Sequence, residues 1–225
     1  MFGGSFNPIH FGHLLVADEV LEKLGLDRML FVPAASPPHK PAAALAPAPH
    51  RFEMTRVAVA AHPRFEVSDV ELSRRGPSYT VDTLRELSGL GELFLLVGSE
   101  TFLDLLSWRE PRQVAALARL VVVPRTGNAF DPEAPATQKV LQELGLPAFV
   151  RLSPASGPRA AAEAGKQAPT AASAGRAPIL VSAASLPISG SELRRRARED
   201  RSLVYRMPDA VAAYIREHAL YRTEA

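Results

Sequence analysis

Short apolar runs alternate along the chain with longer stretches in which apolar residues return every three or four positions, and the two periods predict different elements. The runs Met29–Pro33, Leu93–Val97, Leu120–Val123, Ala148–Leu152 and Ile179–Ser182 read as strands. The longer period predicts helices over Phe11–Leu24, His50–Ala61, Tyr79–Leu87, Pro111–Ala118, Thr137–Glu143, Gly190–Glu199 and Pro208–Glu217. Strand and helix in alternation imply right-handed βαβ units, and so an α/β fold with a doubly wound parallel sheet covered on both faces. Ligands of such sheets bind outside the carboxyl ends of the strands, which gives weight to any motif that follows a strand.

Two segments break the alternation. Pro41–Pro49 (PAAALAPAP) reads as a loop. Pro154–Pro178 holds Ala, Gly, Ser and Pro with no large apolar side chain, so it cannot offset its ordering entropy and is expected to be a disordered insertion within a single domain spanning residues 1–225. No internal repeat is apparent.

Composition narrows the classes. With 225 residues, 47% of them hydrophobic, the chain can bury a core of one generous domain. It has no apolar run of the ~18 residues needed to cross a membrane, and its first residues lack the charged start and apolar middle of a signal peptide. Cysteine is absent, which excludes disulfides and thiolate-bound zinc and fits a reducing, cytoplasmic setting. The formal charge is only +2, and the longest basic run, Arg194-Arg195-Arg196, is too short for a nucleic-acid groove.

The chemistry begins at Gly3-Gly4-Ser5-Phe6-Asn7-Pro8-Ile9-His10-Phe11-Gly12-His13. Gly3 and Gly4 let the backbone approach a ligand without a Cβ in the way. The helix that follows offers unpaired N–H groups and a positive dipole end to an anion. His10 and His13, three apart, project from one side of its opening turn, with Gly12 leaving space between them. Such a pair can donate hydrogen bonds to a phosphate whose charge grows during reaction, although histidines at a helix start can also be plain caps. There is no G-x-x-x-x-G-K-[ST], no G-x-G-x-x-G, and no acidic residue closing Met29–Pro33, so a P-loop enzyme and a dehydrogenase are both disfavoured.

A second anion site is expected at Ile188-Ser189-Gly190-Ser191-Glu192-Leu193-Arg194. Ser189 is a good N-cap, Glu192 completes a capping box, the hydroxyls of Ser189 and Ser191 are donors, and Arg194 stands one turn inward. Taken alone, the segment is equally an ordinary capped helix with an arginine face.

These two motifs together resemble the nucleotidylyltransferase superfamily marked by His-x-Gly-His. Within it the chain is similar to the nicotinate-mononucleotide adenylyltransferase family over nearly its whole length, through GGSFNPIHFGHL, SPPHK, RFEMTRVAV, PSYTVDTLREL, LLVGSETFLDLLSWREP, LVVVPR, ISGSELRRR and MPDAVAAYIREHALYR. The resemblance implies a Rossmann-like fold and transfer of the adenylyl group of ATP to nicotinate mononucleotide, giving nicotinate adenine dinucleotide and pyrophosphate in NAD biosynthesis, with Mg²⁺ accompanying ATP. It implies ATP-binding roles for Gly3, Gly4, Ser5, Phe6, His10, His13, Gly98, Glu100, Ile188, Ser189 and Arg194, of which His10, His13 and Arg194 are catalytic. It places Lys40, Tyr79, Thr80, Trp108 and Arg125 at the mononucleotide, Trp108 stacking on the nicotinate ring and Lys40 near the phosphate. It implies no protein-held metal, no nucleic acid and no membrane.

The residues carry part of this independently. A lone tryptophan suits stacking on a flat, electron-poor ring, though Trp108 would serve equally as a core or rim residue. Lys40 is one of four lysines (with Lys23, Lys139 and Lys166) in an arginine-biased chain, which hints at a compact point charge, or simply at a solvated loop. Tyr79 and Thr80 could also be a helix cap. One departure from the family pattern is Gly98-Ser99-Glu100, where an aspartate is common. The other is that only Met1 and Phe2 precede the glycine turn, so several apolar residues are expected upstream of Met1 to complete the first strand. The competing functions are adenylyl or cytidylyl transfer to phosphopantetheine or a phosphorylated alcohol, and a regulatory module that binds ATP without turnover.

Overall fold

The computed structural model describes residues 1–39, 41, 44–124, 130–152, 176–184 and 186–222. Among them run seven strands, β1 Phe2–Gly4, β2 Met29–Pro33, β3 Phe65–Val67, β4 Phe94–Gly98, β5 Arg119–Val123, β6 Val150–Leu152 and β7 Ile179–Val181. The eight α-helices are α1 Phe11–Lys23, α2 Ala48–Val59, α3 Thr80–Leu87, α4 Ser99–Leu103, α5 Pro111–Leu117, α6 Pro135–Leu144, α7 Gly190–Arg198 and α8 Asp209–Glu217.

The strands form one parallel sheet in the order β3-β2-β1-β4-β5-β7-β6, an α/β Rossmann-like arrangement. The order reverses at β1, and the His-x-Gly-His turn leaves the carboxyl end of that strand, where such folds place their ligands. Leu95, Leu96, Val97, Leu120, Val121 and Val122 are all buried, which is why β4 and β5 read as unbroken apolar runs instead of alternating ones. Their register pairs Leu96 with Val121 and Val97 with Val122.

The chain divides into two compact units. One comprises residues 1–2, 18–27 and 79–184, and contains β4 to β7 with α3 to α6. The other comprises residues 3–17, 28–78 and 185–225, and contains β2 and β3 with α2, α7 and α8. In the first unit the Met1 amine donates to the Phe94 carbonyl at 2.7 Å and Leu96 N–H donates to the Met1 carbonyl at 3.0 Å. The short first strand therefore pairs with β4 from Met1 onward.

The structure corrects the sequence reading at three places. β3 pairs Met29 with Phe65 and Phe31 with Val67, but its three residues are too few to show a period. α4 spans five residues and escapes notice for the same reason. Pro41–Pro49 is not all loop, because α2 begins at Ala48 after Pro47, with Pro49 in the first turn, where a missing N–H costs nothing. Of the expected disordered insertion, residues 154–175 lie outside the described residues.

Candidate active site

The second unit gathers both motifs expected to bind phosphate around one turn. Gly4 gives its carbonyl to Ala34 N–H at 2.8 Å, tying the turn to the end of β2. Phe6, only 2% exposed, packs edge-on to His13 at 5.2 Å and against Phe31 at 5.8 Å. It sits in the left-handed region at φ 41°, a conformation that a phenylalanine adopts only when its surroundings hold it there. His13 N–H donates to the His10 carbonyl at 2.9 Å as α1 opens, and the two imidazoles stack with centroids 3.8 Å apart. Gly12 leaves room here, since a Cβ would lie 3.1 Å from the His10 ring and the ring would have to shift to admit it.

Arg194 reaches the same turn from α7, its Nη1 donating to the Asn7 carbonyl at 2.8 Å. Ser189 caps α7, accepting from Glu192 N–H at 3.3 Å, and its hydroxyl lies 3.2 Å from that of Ser191. Only half of the expected capping box forms, because the Glu192 carboxylate takes two bonds from Arg195, at 2.6 and 2.9 Å. Ser189 is exposed and Ile188 half-buried at the entry to the helix. His10, His13, Ser189 and Arg194 thus belong to one unit, with Gly3, Gly4, Ser5 and Phe6 beneath them.

Sequence reasoning missed the groups that brace this turn. Asn7, 7% exposed, donates through Nδ2 to the Ala44 carbonyl at 3.1 Å, and its Oδ1 accepts from Ala46 N–H at 3.0 Å and from the Tyr221 hydroxyl at 2.9 Å. Arg51, 1% exposed, donates Nε to Ala46 at 2.8 Å, Nη1 to Ser5 at 2.8 Å and Nη2 to Ala35 at 3.1 Å, all three backbone carbonyls. Burial pulls the Arg51 guanidinium below its ordinary range, and nearby Tyr221 and Glu71 act the other way. One signal was available: Arg51, Met54, Thr55 and Ala58 form a single helical stripe, and all four are buried. An arginine on an apolar stripe is a buried arginine.

Of the residues expected at the mononucleotide, those that are described lie in the first unit. Tyr79 is half-buried just before α3, and its carbonyl accepts from Asp82 and Thr83 N–H at 3.1 and 3.3 Å. Thr80 opens that helix. Trp108 is half-buried and closes a short 3₁₀ turn, donating its N–H to Leu105 at 3.1 Å. The neighbouring Arg109, which sequence reasoning passed over, places its guanidinium 4.8 Å from the Tyr79 ring centroid. Gly98 is the N-cap of α4, and Glu100 is exposed in its first turn. Lys40 and Arg125 lie outside the described residues.

Comparison with known proteins shows the family and the fold. A family model described as Cytidylyltransferase-like matches residues 1–196. A Thermus thermophilus protein named "Probable nicotinate-nucleotide adenylyltransferase" is 43% identical, covering 99% of this chain and 98% of its own. A Roseiflexus sp. protein of the same name is 41% identical, covering 99% and 96%. In fold, the chain resembles Plasmodium falciparum nicotinic acid mononucleotide adenylyltransferase solved with NaAD, at TM-score 0.68 and 18% identity, covering 98% of this chain and 95% of that one. With two motifs converging on one turn and identity sustained end to end, this chain belongs to the nicotinate-nucleotide adenylyltransferase family.

Proposed function

We propose that the protein transfers the adenylyl group of ATP to nicotinate mononucleotide, releasing pyrophosphate and forming nicotinate adenine dinucleotide, in the cytoplasm. The observation that carries this reading is the meeting of Arg194 with the turn that bears the stacked His10 and His13. The mononucleotide phosphate is already an anion and needs no activated side-chain nucleophile. It attacks the α-phosphorus in line, the bond to the bridging oxygen breaks, and that oxygen leaves with pyrophosphate. What remains for the protein is positioning and neutralising the charge that builds at phosphorus.

His10, His13 and Arg194 supply donors to that charge, and Ser189 and the opening of α7 hold the departing phosphates. Among the described residues no three His, Asp or Glu side chains converge as a metal site would. In this reading Mg²⁺ enters on the phosphates of ATP, as part of the substrate. Tyr79 and Trp108 likewise offer the acceptor aromatic faces and Thr80 a hydroxyl, and Lys40 and Arg125 act on the same substrate. No described helix is long and apolar enough to cross a membrane.

The test is a pyrophosphate-release assay with MgATP and, in turn, nicotinate mononucleotide, nicotinamide mononucleotide and phosphopantetheine. Fastest release with nicotinate mononucleotide, and a dinucleotide of the expected mass, is the predicted result. Faster release with phosphopantetheine would favour the rival transferase, and ATP binding without release would favour a regulatory module.

A further inference from the structure

Tyr221 lies 214 residues from Asn7 in sequence, yet its hydroxyl donates to the Asn7 Oδ1 at 2.9 Å. The segment that delivers it is held in an uncommon shape, with Ala219 at φ 49° and Tyr221 itself at φ 65°, both in the left-handed region. Burial pushes the phenol well above its ordinary range, against the opposing pull of Arg194 and Arg51, so at neutral pH the hydroxyl keeps its proton and remains a donor.

Asn7 is pinned from two directions. Its side chain is held by Tyr221 and by the main chain of Ala44 and Ala46. Its carbonyl receives Arg194. The start of α7 presses on that same carbonyl, since a Cβ on Gly190 would lie 3.0 Å from it and 3.3 Å from Arg194 Nη1. Arg194 is therefore aimed by a carbonyl whose position depends on the Asn7 side chain.

We infer that Tyr221 is a positioning residue for adenylyl transfer, acting through Asn7 on the carbonyl that aims Arg194. In this role it acts through Asn7 and Arg194 and not on the reacting atoms themselves. The inference rests on the reading of Arg194 as a phosphate-binding group.

Tyr221→Phe removes the hydroxyl and keeps the ring. Losing one neutral hydrogen bond should lower kcat about fivefold, the rate equivalent of roughly 1 kcal/mol, while KM for ATP and for nicotinate mononucleotide stays nearly constant. The same substitution in an Arg194→Ala background should produce no further loss, because the group it aims is gone. Tyr221→p-aminophenylalanine, which restores a donor, should recover kcat. That variant also carries the test if Tyr221→Phe does not fold: a folded but equally slow enzyme would overturn the inference. Unchanged kcat in a folded Tyr221→Phe, or the same fivefold loss with and without Arg194, would overturn it too. Full activity of Arg194→Ala alone would instead remove the phosphate-clamp reading beneath it, and that outcome is read in a different variant.

Discussion

Around the His-x-Gly-His turn the bracing side chains of Asn7 and Arg51 are buried and bound mainly to the main chain, whereas around Tyr79 and Trp108 the charged side chains are half-exposed and bound mainly to one another. Arg51 and Asn7 fasten Ser5, Ala35, Ala44 and Ala46 with bonds of 2.8–3.1 Å. In the other unit Arg109 covers Tyr79 and lies 3.8 Å from Glu110, which also pairs with Arg85, in a chain where each charged side chain is 40% exposed or more. The contrast matches the two tasks proposed for these regions. Donors to a transition state act by being fixed beforehand, since any reorganisation subtracts from their effect. A surface that recognises a ring by stacking tolerates small movements, because the contact has breadth but little direction.

The largest effect should come from the most buried brace. Arg51→Met keeps bulk but leaves the carbonyls of Ser5, Ala35 and Ala46 without their charged donors. We expect a loss of roughly 3 kcal/mol or more, which for a chain of this size lowers the melting temperature by about 6–12 °C. A melting temperature within about 2 °C of the parent would show that water replaces the guanidinium and that the turn does not depend on it.

His13→Ala should cost kcat about 10²-fold with little change in melting temperature, the scale for removing one preorganised donor. A folded variant with normal kcat would mean that the stacked imidazole is structural. Trp108→Ala should weaken nicotinate mononucleotide binding by about 1–3 kcal/mol and leave the KM for ATP nearly unchanged. Equal loss for both substrates would mark Trp108 as a packing residue, and the comparison between the two regions would lose its chemical meaning.

The same contrast explains what sequence could and could not disclose. β2 was legible to the residue, and α1 to within one, because long apolar periods record burial directly. His10, His13, Ser189 and Arg194 could be singled out because each lies in a short local pattern, and the structure gathers all four in one unit. Asn7, Arg51 and Tyr221 are as deeply involved, but their partners lie between 5 and 214 residues away, and nothing local to Asn7 or Tyr221 records such a partner. Arg51 alone left a trace, as a charge on a buried stripe. Arg109 left none, since an arginine beside a tryptophan is ordinary until the backbone places it over Tyr79.

The smallest expected effect tests the adaptable side of the comparison. Arg109 holds Tyr79 by a cation–π contact of 4.8 Å in which the arginine side chain is 53% exposed, a setting where such contacts contribute about 0.5–1 kcal/mol. If that contact orients the ring for the acceptor, Arg109→Ala should raise the KM for nicotinate mononucleotide about two- to fivefold, the affinity equivalent of that energy, without altering kcat. Arg109→Lys should fall between the two, because an ammonium retains the charge but not the flat face that lies on a ring. Tyr79 has other restraints, however, in the bonds from Asp82 and Thr83 to its carbonyl. An unchanged KM would mean that those bonds alone fix the ring. Tyr79 would then belong with the rigid elements, and only Trp108 would remain as the adaptable surface.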